Sequence, residues 1–119
     1  MKYPEKCTVS TFDGTLVRSR IEAIIYDHLV SAGLLVIYEF PIFVEDHIIY
    51  PDFLILHPLT GKLYILEHLG YWYHDAKGAG YRSNFCIKTV ELASLGFVLG
   101  KNILTTFEDG GGTIDTEKI

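Results

Sequence analysis

The sequence predicts an α/β domain with the element order αβββαβ, in which helices flank a four-stranded mixed sheet. Two segments with helical spacing of apolar residues and four short runs rich in β-branched and aromatic residues indicate this order. Three strands follow one another with short links, which is typical of an antiparallel meander, whereas the helix before the last strand permits a parallel crossover. With 119 residues, 49% of them apolar, the chain is expected to form a single domain over 1–119.

The first helix is predicted over residues 17–32, after an irregular segment that ends at a turn near Gly14. Thr15 or Ser19 offers a hydroxyl that caps the helix N-terminus, and Gly33 ends the helix. The apolar residues with helical spacing are Ile21, Ile24, Ile25, Leu29 and Ala32. This spacing predicts one buried face.

Three strands are predicted after this helix. Residues 34–42, 48–56 and 63–69 are rich in aliphatic, β-branched and aromatic side chains. A polar turn at residues 44–47 separates the first two strands. We expect Glu39, near the end of the first strand, to take an outward or edge position.

The last third of the chain is predicted to contain a loop, a helix and a strand. Residues 70–80 form the loop, in which Trp72 is expected either to stack on bases or riboses or to cover the core or a dimer contact. The second helix is predicted over residues 81–95, and the fourth strand over 103–107. The glycine-rich tail, residues 108–119, is expected to be mobile.

Two carboxylates are expected to meet at one end of this sheet. Asp52 opens the second strand, and Glu67 lies near the end of the third. If the strands pair antiparallel across a turn at residues 57–62, the start of one lies beside the end of the other. Carboxylates that converge in apolar surroundings repel each other unless a proton or a cation lies between them. Because hard divalent cations such as Mg²⁺ take oxygen ligands, the sequence predicts a metal site here.

Glu22, on the first helix, is a third candidate carboxylate. It lies one turn after Arg18 and borders the apolar face rather than opposing it. Two interpretations stay open. Glu22 is either a boundary residue paired with Arg18, or a carboxylate that points toward the sheet and the metal.

The formal net charge of −5 at pH 7 argues against a protein whose whole surface binds nucleic acid, because phosphate binding normally requires a basic surface. It does not exclude a nuclease, because active-site carboxylates add negative charge that bound cations offset. The basic residues are also clustered, at Arg18 with Arg20 and at Lys77, Arg82 and Lys88.

Cysteine usage and hydropathy predict an intracellular, cytoplasmic protein. Cys7 and Cys86 lie far apart in the sequence, and we expect free thiols rather than a disulfide. No apolar run approaches the roughly 20 residues of a membrane-spanning helix, and the N-terminus lacks the apolar region of a signal peptide. The histidines are scattered without the compact spacing of a zinc site.

Several short motifs occur in a fixed order on this element pattern. They are Arg18-Ser19-Arg20-Ile21-Glu22, Tyr38-Glu39-Phe40-Pro41, Pro51-Asp52-Phe53 and Glu67-His68-Leu69-Gly70. A Pro-Asp pair alone is very common, but the ordered set, with a lysine on the following helix, resembles the PD-(D/E)xK nuclease superfamily, and in particular its small phage and bacterial members. The resemblance covers about residues 15–107 and implies a restriction-endonuclease-like fold.

The position of the lysine departs from the superfamily pattern, which places it two residues after the glutamate. Here that position is Leu69. Lysines of this superfamily also migrate onto the following helix, and Lys88 is the candidate, whereas Lys62 is expected at the wrong end of the sheet. If neither lysine reaches the site, the resemblance implies the fold without the activity.

The resemblance implies phosphodiester hydrolysis with Mg²⁺ or Mn²⁺. Asp52 and Glu67 would hold the metal, with Glu22 bound directly or through water and the backbone carbonyl of His68 as a further ligand. Lys88 would orient the attacking water or stabilise the phosphorane charge. The His68 side chain, which alternates with Glu67, is expected on the other face of the sheet. There it is either hydrogen-bonded or, alternatively, a ligand of Mn²⁺.

The function that we expect is therefore that of a DNA endonuclease with the catalytic residues Glu22, Asp52, Glu67 and Lys88. Two alternatives stay open: a catalytically silent module of the same fold, used for nucleic-acid binding or assembly, and a strand-cutting subunit that needs a partner protein. Because a domain of this size covers few base pairs, a homodimer through Tyr71-Trp72-Tyr73 would provide sites for both strands.

Overall fold

The computed structural model describes residues 3–107 of the chain. It is a compact α/β fold with a four-stranded mixed sheet and two helices, as the sequence predicts. After a short 3₁₀ turn at Pro4–Lys6, the elements are β1 (Val9–Ser10), β2 (Leu16–Val17), α1 (Arg20–Ser31), β3 (Leu35–Tyr38), β4 (Ile42–Val44), β5 (His47–Ile49), β6 (Phe53–Leu56), β7 (Leu63–Leu69), α2 (Gly78–Ala93) and β8 (Ile103–Phe107).

The strand order in the main sheet is β3-β6-β7-β8. Strand β6 lies between β3 and β7 and pairs antiparallel with both. Strand β8 pairs parallel with β7 after the crossover through α2. The β6–β7 register aligns Phe53 with Leu66 and Leu56 with Leu63. One further step along this register brings Asp52 beside Glu67, as the predicted hairpin requires.

The two helices lie on opposite faces of the sheet. Alternate side chains of each strand point to opposite faces, and each helix packs on a different set of them. On the first face, α1 contributes to a buried cluster with strand residues that include Phe53, Ile55 and Leu66. On the second face, Leu92 of α2 packs with Ile65 and Ile103. Glu67 has the same parity as Ile65, so it lies on the face covered by α2.

Helix α1 begins and ends at the predicted kinds of residue. The Ser19 hydroxyl accepts a hydrogen bond from the backbone N–H of Glu22 at 3.2 Å, which is the geometry of an N-cap. Gly33 follows the helix in the left-handed conformation, with φ of 86°. The predicted start at residue 17 was too early, because Val17 pairs with Val9 in the β1–β2 hairpin. That hairpin also replaces part of the irregular N-terminal segment that we expected.

The first two predicted strands are each divided in the structure. Strand β3 ends at Tyr38, because Glu39 adopts the left-handed conformation with φ of 50°. Pro41 and Pro51, which lack a backbone N–H, flank the separate β4–β5 hairpin. The turn of that hairpin at Glu45 and Asp46 matches the predicted polar turn.

The second helix begins at Gly78, three residues before the predicted start, so the loop after β7 is shorter than expected. The tail at 108–119, predicted to be mobile, lies outside the described residues. No helix within residues 3–107 is both long and apolar enough to span a membrane.

Candidate functional site

A cavity of about 580 Å³ opens at the end of the sheet where β3 and β7 end and β6 begins. Both helices contribute to its walls. The polar and charged side chains that line it include Arg18, Ser19, Glu22, Glu39, Asp52, Glu67, Tyr81, Asn84 and Lys88. All four residues predicted to be catalytic therefore share one cavity.

Asp52 and Glu67 form the centre of this cavity. The Oδ2 atom of Asp52 accepts a hydrogen bond of 2.7 Å from the backbone N–H of His68, which fixes the carboxylate against the end of β7. Glu67 is only 4% exposed. Its burial, and next the negative charge of Asp52, raise the pKa of Glu67 to about 8. The two carboxyl groups therefore repel each other, as expected from the sequence.

Lys88 reaches the same point from α2. Its Nζ atom lies 2.6 Å from Oε1 of Glu67 and donates a hydrogen bond of 3.0 Å to the backbone carbonyl of Tyr50. The positive charge of Lys88 opposes the rise in the Glu67 pKa. Lys62 is exposed just before β7 starts and lines a different cavity. The structure thus selects Lys88, as predicted, as the lysine that approaches the carboxylates.

Glu22 points into the cavity from the first turn of α1. The hydroxyl of Tyr38 donates to the Glu22 carboxylate and lies 3.1 Å from both of its oxygens, and the Ser19 hydroxyl lies 3.3 Å from Oε1. Burial, and next the charge of Asp52, raise the pKa of Glu22. Of the two interpretations left open, the structure favours the carboxylate that points toward the sheet.

The ion-pair partner of Arg18 is Glu39 rather than Glu22. The Nη2 atom of Arg18 lies 2.5 Å from Oε1 of Glu39. Glu39 is only 3% exposed, so a predicted outward position is wrong, although the residue directly follows β3 at the edge of the sheet. The left-handed backbone at Glu39 breaks the alternation of the strand, and its side chain turns inward to meet Arg18.

His68 lines the cavity, and its ring and backbone have different partners. Its Nδ1 atom lies 2.8 Å from Oγ1 of Thr106 on β8, consistent with the hydrogen-bonded interpretation. Its backbone carbonyl accepts a hydrogen bond of 3.0 Å from the Tyr81 hydroxyl. Burial, and next the charges of Asp52 and Glu67, raise the pKa of Tyr81 to about 12. The phenol is therefore a neutral hydrogen-bond donor at ordinary pH.

The chemistry of the donors suits a hard divalent cation. Glu22, Asp52 and Glu67 line one cavity with His68, whose backbone carbonyl accepts a hydrogen bond from Tyr81. Asp52 raises the pKa of both glutamates, and a cation among the three groups would relieve this repulsion. Within residues 3–107, no group of three or more His, Cys, Asp and Glu side chains has the arrangement of a ready-made metal site. The features that favour a metal here are thus the oxygen donors and their shared negative charge.

The aromatic residues of the loop after β7 are of two kinds: Trp72 packs against the core, whereas Tyr71 and Tyr73 are exposed. Trp72 packs edge-on against Phe85 and Phe107, with ring centroids 5.7 and 6.1 Å apart, so it covers the end of the core. Tyr71 and Tyr73 are the exposed members, and Tyr71 lines the cavity. Of the functions expected for Trp72, the structure supports the core-covering one.

Three residues that line the cavity were not predicted to belong to the site: Arg18, Glu39 and Tyr81. A signal existed for the first two, because both lie in the short motifs that carry the resemblance. Tyr81 has no such signal. Tyr81 lies on α2, four residues before Phe85 and seven before Lys88, so all three share one side of the helix. Its contact with the cavity follows only from the way α2 packs on the sheet.

Comparison with known proteins gives no match. No protein-family model, curated protein or solved structure matches this chain. Function is therefore inferred from the cavity and its residues.

Proposed function

We propose that this chain is a metal-dependent nuclease of the PD-(D/E)xK type, with a restriction-endonuclease-like fold, that hydrolyses phosphodiester bonds in DNA. The observation that carries the proposal is the meeting of Lys88 with Glu67, 2.6 Å apart, beside Asp52 in one cavity. A lysine beside paired carboxylates supplies two things that phosphodiester hydrolysis can use: oxygen ligands for a cation and a positive donor for the phosphorane.

In this proposal Asp52 and Glu67 would hold Mg²⁺ or Mn²⁺, with Glu22 and the carbonyl of His68 as further donors. When bound, the metal activates water and neutralises charge on the phosphate. Lys88 holds the attacking water or donates to the phosphoryl oxygens as negative charge develops. The Tyr38 hydroxyl keeps the Glu22 carboxylate directed into the cavity.

The substrate and assembly belong to the same proposal. DNA is favoured over RNA, and a homodimer through the exposed Tyr71 and Tyr73 would present two cavities to opposite strands. Sedimentation at micromolar concentration tests the assembly. If the protein is strictly monomeric, the proposed homodimer is wrong, and the nuclease is expected to nick one strand.

A cleavage assay tests the function. Supercoiled plasmid and single-stranded DNA are incubated with the native chain and with Asp52→Ala, in Mg²⁺ or in Mn²⁺. Cutting that requires metal and is lost in the variant supports the proposal. Metal-independent DNA binding without cutting, unchanged in Asp52→Ala, would instead indicate a silent module. Cutting that appears only after a second protein is added would indicate a strand-cutting subunit.

A further inference from the structure

A second positive side chain, Arg18, lines the cavity from the segment between β2 and α1. Among the described residues that line it, the acidic side chains are Glu22, Glu39, Asp52 and Glu67, and the basic ones are Arg18 and Lys88. Lys88 is engaged by Glu67. An entering phosphodiester is itself an anion. The four carboxylates carry more negative charge than one divalent metal ion and Lys88 offset, and this excess opposes binding of the substrate.

Arg18 is held in place from beneath by a buried acid. Its Nη2 atom meets Oε1 of Glu39 at 2.5 Å, and Glu39 is 3% exposed whereas the Arg18 side chain keeps 31% exposure. The backbone N–H of Glu39 also donates a 3.0 Å hydrogen bond to the carbonyl of Asp52. The anchor of Arg18 is thereby tied directly to the residue at the centre of the site.

Stability alone does not account for this arrangement. A buried ion pair is weak evidence for stability, because the desolvation cost of the charges offsets much of their attraction. Glu39 in addition adopts a left-handed backbone, with φ of 50°, which is unfavourable for a residue with a side chain and tends to persist at functional sites. An arginine that is oriented by a buried acid and partly exposed on a cavity wall can present guanidinium N–H groups to phosphate oxygens.

We propose that Arg18 is a phosphodiester-binding residue, with Glu39 as the positioning residue that aims its guanidinium into the cavity. This inference rests on the proposed nuclease function and names the contact that receives the substrate backbone. Arg20, exposed and outside the cavity lining, is the matched control, since it is an arginine only two residues further along, at the first position of α1.

The experiment measures binding of a fluorescent DNA oligonucleotide as a function of salt concentration. An Asp52→Asn background prevents cleavage during titration. We expect Arg18→Ala to weaken binding by about tenfold and to reduce the slope of log affinity against log salt by about one, whereas Arg20→Ala changes both much less. Arg18→Lys should keep the salt slope and recover only part of the affinity, because lysine lacks the planar fork. Glu39→Gln should keep the slope, because Arg18 keeps its charge, and should lose affinity.

Cleavage by the otherwise native chain separates the two proposals. If the native chain cuts DNA and Arg18→Ala binds with unchanged affinity and slope, the role of Arg18 is overturned and the nuclease function stands. If the native chain neither binds nor cuts DNA, both proposals fail. Where Arg18→Ala does not fold, as judged by circular dichroism, Arg18→Lys and Glu39→Gln decide: native affinity in both would overturn the inference.

Discussion

The ammonium group of Lys88 lies 2.6 Å from the carboxylate of Glu67 and also hydrogen-bonds the carbonyl of Tyr50, two residues before Asp52. One side chain of α2 therefore contacts both β7, which carries Glu67, and the link between β5 and β6, which carries Asp52. This contact links the helix to the end of the sheet, and it places a positive charge where the proposed reaction develops negative charge.

Replacing Lys88 by alanine should reduce the rate of DNA cleavage by about 100-fold or more, because a positioned donor to the developing charge is lost. Lys62→Ala is the matched control, since Lys62 is exposed at the opposite end of β7, and its rate should stay native. The measurement is single-turnover cleavage of plasmid DNA. Equal rates for the two variants would mean that Lys88 has only a structural role.

Metal affinity should depend on the two central carboxylates. We expect Asp52→Asn and Glu67→Gln each to weaken Mn²⁺ binding by about tenfold or more, measured by isothermal titration calorimetry without DNA. Asp46→Asn removes a carboxylate that is 98% exposed on the β4–β5 turn and should leave the affinity unchanged. A native-like titration for both site variants would show that the metal, if it binds, does so elsewhere.

The meeting of Asp52 and Glu67 was predictable, because a short turn between two apolar strands fixes their antiparallel register. The reach of Lys88 followed only from the resemblance, since nothing in the local sequence shows where α2 docks. The division of the predicted strands was not predictable from periodicity, because the apolar residues around Glu39 and Pro51 continue without a change of pattern.

The partner of Arg18 shows a second limit of sequence reasoning. Glu22 lies four residues away, a spacing that favours an ion pair within a helix, but α1 begins at Arg20 and Arg18 lies before it. The structure instead pairs Arg18 with Glu39, which is distant in sequence and buried by its left-handed backbone. Local spacing gives the candidates, whereas the choice between them depends on tertiary packing.

Tyr38 should contribute to stability through the Glu22 carboxylate. In Tyr38→Phe the buried Glu22 loses the hydroxyl donor that lies 3.1 Å from both of its oxygens. We expect the free energy of unfolding to fall by about 1–3 kcal/mol, measured by urea denaturation. Tyr64→Phe is the control, because Tyr64 packs beside the same core cluster; a similar loss in the control would mean that packing, not the hydrogen bond, is responsible.

Stability without metal should decrease as the pH rises, because of Glu67. Its pKa is raised from 4.5 in the unfolded chain to about 8 in the folded protein. Between these values the folded state binds more protons than the unfolded state, so the free energy of unfolding falls with increasing pH and levels off above about pH 8. Urea midpoints at several pH values in EDTA would show this trend, which Glu67→Gln should flatten because its amide does not titrate. Parallel pH profiles for the native chain and the variant would contradict the assignment to Glu67. Added Mg²⁺ should reduce the decrease in the free energy of unfolding of the native chain, since a cation favours the ionised carboxylate.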